Sequence, residues 1–181
     1  MSIAIVRECK NKWERRCSLT PREVEKLVAD GIKVLVQPST TRCYCDDEFE
    51  EVGASIQEDI SEASVIFGVK EVPMENLMKD KTYFFFSHTI KAQDYNMPLL
   101  DKILEQRIRM VDFETIRDKS GANRLVAFGR YAGIAGAFDF LRGCGEFLLE
   151  KGFQTPFVHL GSAYVYEDFD AMKEAVGKIA G

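Results

Sequence analysis

The sequence predicts an α/β fold, a three-layer, mostly parallel sheet with helices on both faces. Three observations predict it. Short β-branched or aromatic runs recur at Ile3 to Arg7, Ile32 to Val36, Val65 to Val69, Tyr83 to Phe86 and Ile108 to Asp112. Segments with apolar residues at helical spacing separate them. The runs are apolar on both faces, as strands in a sheet covered on both sides must be. A length of 181 residues suits one domain or slightly more, read as a single unit over 1–181.

Ile3 to Arg7 opens the chain as a strand. Thr20-Pro21-Arg22-Glu23 is a capping box with proline at the first helical position, so a helix starts at Pro21. It carries Val24, Leu27 and Val28 on one face, and Gly31 supplies its left-handed stop. Ile32 to Val36 is a buried strand ended by Pro38. Asp47 to Val52 is a short helix before Gly53, Ile56 sits in a brief strand, Ser61 to Ala63 is helical at most, and Val65 to Val69 is the next strand. Leu77 lies in a short helical segment before the aromatic strand Tyr83 to Phe86. Ala92 to Gln106 forms a helix carrying Leu99, Leu100, Ile103 and Leu104, and Ile108 to Asp112 follows as a strand. Asp118 to Gly121 is a turn and Leu125 to Phe128 a short strand. A long helix runs from about Tyr131 to Glu150 and is closed by Gly152; Val158 to Leu160 is a further strand and Asp168 to Ile179 a last helix.

Composition narrows the function. A net charge of −5 argues against a broad nucleic-acid footprint. No stretch approaches the roughly 18 uninterrupted apolar residues of a membrane span. The amino terminus shows no secretory signal, and five scattered cysteines, an odd number, make no disulfide framework. A reducing compartment fits, cytoplasmic, or mitochondrial once a transit peptide has been removed. Cys43-Tyr44-Cys45 lacks the second pair a structural zinc site needs, so no metal is expected.

Gly129, Gly133 and Gly136 follow a strand and open a helix, but the first two are four apart, whereas the dinucleotide fingerprint needs them two apart. They read as a smooth helix face for close packing. Three strand ends are more informative. Lys70 with Glu71, His88 with Lys91, and Glu114 all follow apolar strands, at the carboxyl edge where open α/β sheets place ligand sites. A lysine near carboxylates and apolar walls can exchange protons with a histidine. Arg16, in the loop before the first helix, is able to grip a carboxylate as a fork or to form a surface ion pair with Glu14. His159 reads as a packed histidine.

Trp13-Glu14-Arg15-Arg16 with Leu19-Thr20-Pro21, then Gly68-Val69-Lys70-Glu71, then Phe85 to Gln93, then Ala127-Phe128-Gly129 with Ala132-Gly133, closely resemble the lysine-ketoglutarate reductase part of alpha-aminoadipic semialdehyde synthase over nearly the whole chain. The resemblance extends more distantly to fungal saccharopine dehydrogenase and to the amino-terminal domain of alanine dehydrogenase and transhydrogenase. It implies an oxidoreductase that joins lysine to 2-oxoglutarate through an imine and reduces it with NADPH to saccharopine, or runs the related reaction backward with NAD. It implies that Lys70 and His88 are the acid–base pair, that Arg16, Lys91 and Arg124 bind carboxylates of the substrate, and that Glu71 and Glu114 tune the lysine and histidine.

In the family a coenzyme-binding Rossmann domain follows this region, and no such glycine fingerprint occurs before Gly181. The chain is therefore expected to be the substrate-side part of a larger enzyme, inactive alone, holding no NADP or NAD tightly, and self-associating through surface the absent domain would cover. The alternative is a non-catalytic, stand-alone domain that binds amino or keto acids or regulates a partner.

Overall fold

A computed structural model describes residues 1–179, and the chain divides into two compact units, residues 1–126 and 127–181. The first unit is built on a sheet of six strands: β1 (Ser2–Ile5), β2 (Lys33–Val36), β3 (Ser55–Ile56), β4 (Val65–Phe67), β5 (Thr82–Phe85) and β6 (Arg109–Asp112). Their order is β3-β2-β1-β4-β5-β6, and every pairing is parallel. The chain first winds outward from β1 to β3, then returns to the other side of β1 at β4, so the order reverses between β1 and β4. Open sheets leave a ligand crevice beyond the carboxyl ends at such a reversal.

Side-chain alternation divides the core between two faces. Ile3, Ile5, Val34 and Val36 meet Val24 of α1 (Pro21–Ala29) and Phe49 of α2 (Asp46–Glu51). Ala4, Leu35, Ile66, Tyr83 and Phe85 meet Leu99 and Ile103 of α3 (Met97–Glu105), together with Ile60, Val72 and Leu77 from the connections. Helices thus cover both faces, as expected. The Tyr83 hydroxyl, deep in the second layer, accepts the Met78 N–H at 2.9 Å. At the start of α1, Thr20 serves as N-cap through its carbonyl, which accepts from Glu23 and Val24 N–H, each at 3.0 Å. Its hydroxyl meets the Glu23 carboxylate instead of a backbone amide.

The second unit contains α4 (Gly129–Glu150) and α5 (Phe169–Ile179). Phe138, Leu160 and Met172 form its core, with Ile134, Leu141, Phe157, Tyr166 and Val176 around them.

Five expectations fail here. The helix expected from Ala92 starts at Met97, because Ala92 is left-handed (φ 50°) and the intervening Asp94–Asn96 makes a single 3-10 turn before Pro98 sets the helix. Leu125 to Phe128 is not a strand: Leu125 and Phe128 are exposed, and the isolated antiparallel bridge beside it, Arg117 with Arg124, ends before the segment begins. Val158 to Leu160 is not a strand either, since Pro156 begins a 3-10 turn over Pro156–His159. That turn presents His159 outward, so it is exposed and not packed. Finally, Gly129, Gly133 and Gly136 pack against nothing; a Cβ on any of them would meet open space. The glycine of α4 that does need its hydrogen is Gly145, where a Cβ would lie 2.7 Å from Phe157 C and Val158 N.

Candidate active site

The ladder positions the site. Beyond β4 and β5 the backbones stay paired, with Gly68 N–H donating to Phe84 O at 2.9 Å and Phe86 N–H to Val69 O at 3.0 Å. Lys70 and His88 therefore leave the sheet from adjacent strand ends at nearly the same level. Val6 N–H likewise reaches Phe67 O at 2.9 Å, which places Glu8 on the other flank of Lys70, across the reversal point.

Glu8 takes two backbone donors there, Val69 N–H at 2.6 Å and Lys70 N–H at 2.9 Å. Burial pushes its carboxyl above the ordinary carboxylate range despite those bonds. Nearby, Glu14 is 8% exposed and is held by Arg16 from three donors: N–H at 3.1 Å, Nε at 2.8 Å and Nη2 at 2.6 Å. Burial alone would raise the Glu14 carboxyl, but the Arg16 bonds and charge, with the Lys70 charge beyond, hold it low. The ion pair anticipated between these residues is thus formed against a buried carboxylate. Glu71 lies 3.5 Å from Lys10 through Oε1, while its Oε2 is buried with no hydrogen-bond partner. An orphaned carboxylate oxygen beside a lysine is a costly arrangement that a cationic donor would relieve.

The second cluster forms at the ends of β5 and β6. Glu114, 7% exposed as a side chain, gathers an imidazole and two cations: His88 Nδ1 at 3.0 Å, Lys91 Nζ at 3.4 Å and Arg124 Nη1 at 3.5 Å. Lys91 Nζ is also 3.1 Å from His88 Nδ1. One ring nitrogen cannot both donate to the carboxylate and accept from the ammonium. The tautomer with Nδ1–H satisfies the buried oxygen and leaves Lys91 on Oε1, which frees the His88 Nε2 lone pair to act as a base. Burial works to raise the Glu114 carboxyl, yet the His88 hydrogen bond and the Lys91 charge prevail and hold it low.

His88 has φ 58° and ψ 6°, a left-handed conformation costing a residue with a Cβ on the order of 1 kcal/mol. With left-handed Ala92 it brackets a single 3-10 turn, Thr89–Lys91, which brings Lys91 back over the histidine; Lys91 N–H reaches His88 O at 3.1 Å. The His88 ring lies near-parallel to Phe86, centroids 6.3 Å apart.

The structure thus gathers Glu114 with His88, Lys91 and Arg124, and sets Lys70, Glu71 and Arg16 around the neighbouring strand ends. Lys91 and Arg124 stand as partners of Glu114, a pairing any substrate carboxylate would have to share. Sequence reasoning missed Glu8, Ser87 and Asp112, and took Glu14 only as a surface partner of Arg16, whereas it is buried. Asp112 carried a signal, an acid closing an apolar run; the others depend on pairing with distant segments.

Two features belong elsewhere. Cys17 is half-buried, its thiol pushed up to about 11 by desolvation, and so is no nucleophile. Among the described residues no cluster of ligating side chains suits a metal ion, and no helix is long and apolar enough to cross a membrane. The β1–α1 connection spans residues 6–20 without a glycine, so it does not fit the tight pyrophosphate turn of a dinucleotide site.

A parallel sheet of order 3-2-1-4-5-6, with helices on both faces, defines a doubly wound α/β domain. The chain belongs to the family described as alanine dehydrogenase/PNT, N-terminal domain, whose sequence model matches residues 4–135. It is 51% identical over 174 residues to a mitochondrial alpha-aminoadipic semialdehyde synthase of Bos taurus, covering 96% of this chain and 19% of that protein. It is 35% identical over 129 residues to a saccharopine dehydrogenase [NAD(+), L-lysine-forming] of Yarrowia lipolytica, covering 68% of this chain and 35% of that one. The chain thus spans about a fifth to a third of these relatives. A solved L-alanine dehydrogenase superposes with a TM-score of 0.59 at 22% identity, over 67% of this chain and 35% of that one, and shares the fold.

Proposed function

We propose that this chain is the substrate-side domain of an oxidoreductase of lysine degradation, one that condenses lysine with 2-oxoglutarate and reduces the resulting imine to saccharopine. The carrying observation is that Lys70 and His88 leave adjacent strand ends amid buried carboxylates, beside the reversal of strand order. The names of the relatives supply the substrate class. Imine formation needs a proton removed from the attacking amine, and another delivered to the hydroxyl that leaves as water. His88 Nε2, a lone-pair acceptor in the tautomer fixed by Glu114, suits the removal; the Lys70 ammonium suits the delivery. Arg16, with Lys91 and Arg124, supplies positive charge for the substrate carboxylates. The orphaned Glu71 Oε2 fits the ammonium of the amino-acid substrate. The nicotinamide coenzyme, NADPH or NAD, would be held by a separate domain, so the chain alone would bind substrate without turnover. The proposed compartment is mitochondrial or cytoplasmic.

The test is to titrate lysine, 2-oxoglutarate and saccharopine into the isotope-labelled chain while following its amide signals and, separately, NADPH oxidation. Shifts confined to residues 14–16, 70–71, 88–91, 114 and 124, with no turnover, are expected. In Lys70→Met and His88→Asn, affinity should fall by roughly tenfold, the loss of one charged hydrogen bond. Saturable shifts centred elsewhere, or no response to any of the three compounds, would overturn the assignment.

A further inference from the structure

We propose that Asp112 is a positioning residue for the candidate base. Its buried carboxylate holds both members of the His88–Glu114 pair in register without touching the substrate. The inference rests on the reading of His88 as a proton carrier, but its geometry is independent of any ligand.

Asp112 is the last residue of β6 and is 8% exposed. One oxygen, Oδ1, accepts the Glu114 N–H at 2.8 Å, which fixes where the Glu114 backbone turns. The other, Oδ2, accepts the Ser87 N–H at 3.3 Å and also the Ser87 hydroxyl. Ser87 is fully buried, at the end of the neighbouring strand and immediately before His88. Its Oγ in turn accepts the Thr89 N–H at 3.1 Å and lies 2.8 Å from Thr89 Oγ1. A hydroxyl has one proton to give and two lone pairs, so Ser87 donates to Asp112 and accepts from both Thr89 groups. The residues on either side of His88 are thereby tied to one carboxylate.

That tie has a task. His88 is held left-handed, a conformation a side chain leaves readily unless its surroundings over-determine it. Were the Ser87–Thr89 turn to relax, Nδ1 would swing off Glu114. Were the Glu114 backbone to move, the carboxylate would leave Nδ1. Asp112 governs both movements, because its two oxygens are a rigid unit spanning the ends of β5 and β6. Asparagine cannot replace it: in either orientation of the amide, an NH2 group faces a donor, either Ser87 or Glu114 N–H.

The experiment reads the imidazole directly. The chain has two histidines, and the exposed His159 serves as internal reference. Ring nitrogen shifts of the 15N-histidine-labelled chain are recorded at about pH 8.5, two units above an ordinary imidazole midpoint. In the native sequence His88 should show the Nδ1–H form in roughly tenfold or greater excess, as a charge-assisted bond to Glu114 dictates. In Asp112→Asn that excess should collapse toward the mixture seen at His159, while the His159 signals stay in place. Ser87→Ala, which keeps the backbone donor and removes the hydroxyl relay, should lie between the two, and it decides the matter alone if Asp112→Asn does not fold. A folded Asp112→Asn, or Ser87→Ala alone if the former is unfolded, with an unchanged His88 signature overturns the proposal. Because no substrate is present, a failure to bind lysine or 2-oxoglutarate would count against the proposed function and leave this result standing.

Discussion

Replacing Gly145 by alanine places a methyl group where two backbone atoms already lie. The added Cβ would be 2.7 Å from Phe157 C and from Val158 N, and 2.8 Å from Phe157 Cβ. Ordinary carbon contacts sit near 3.5–4.0 Å, so relief requires a shift of about 0.8 Å or more. The obstructing atoms belong to the Pro156–His159 turn, which packs on the unit's own core through Phe157 and Leu160. Overpacking of this kind costs about 1–3 kcal/mol, while alanine in a helix interior returns up to about 1 kcal/mol over glycine. Gly133→Ala, on the same helix but facing open space, receives the helical gain without the overlap. Subtracting the two variants cancels propensity and should leave Gly145→Ala less stable by about 1–3 kcal/mol. Urea unfolding of both variants, resolved to α4 by amide exchange, measures the difference. Equal stability, or a more stable Gly145→Ala, would refute the reasoning.

Two further outcomes follow from the first unit. Arg42 has a side chain only 4% exposed, donates to Gln37 O and Tyr44 O, each at 3.1 Å, pairs with Asp46 and lies 4.6 Å over the Phe49 ring; Arg42→Lys cannot reproduce that fork and should cost about 2–4 kcal/mol in urea midpoint terms, whereas a loss within error would show the carbonyls find water. Glu114 has a folded carboxyl held below its unfolded value, so it contributes stability at neutral pH that fades as pH falls from the ordinary glutamate range through the lower folded one; the stability gap between the native chain and Glu114→Gln should therefore narrow from pH 7 toward pH 3.5, and a gap that widens would reverse the sign.

The fold was legible where a local pattern and its long-range consequence coincide. Apolar runs long enough to be buried on both faces could only be central parallel strands, and their ends had to share an edge, which puts Lys70, His88 and Glu114 at one side of the sheet on pattern alone. The carboxylates beneath were not legible, because Glu8 serves amides more than 60 positions away and Asp112 serves Ser87 at a separation of 25. Local periodicity carries no information on such pairings. Glycine spacing shows the same boundary: helical phase reveals that Gly129, Gly133 and Gly136 share a face, but only packing reveals which face is covered, and the covered one belongs to Gly145. His88 illustrates a third kind of miss, since a left-handed histidine is written by its neighbours' hydrogen bonds and not by its own propensity.

The central position of β1 has a consequence for synthesis of the chain. Ser2–Ile5 is made before its neighbours in the sheet, and one of its edges waits for Val65–Phe67, about 60 residues later. At translation rates of roughly 5–20 residues per second, that edge stays unsatisfied for about 3–12 s. During this interval Ile3-Ala4-Ile5-Val6 is a short, uncharged, β-prone ribbon with open amides and carbonyls, the kind of segment that nucleates wrong pairings. The charged stretch that follows it at once, Arg7-Glu8-Cys9-Lys10, then acts as a gatekeeper on the nascent chain. Glu8 would thus be useful twice, first in keeping the unfinished strand soluble and later in closing the sheet around Lys70.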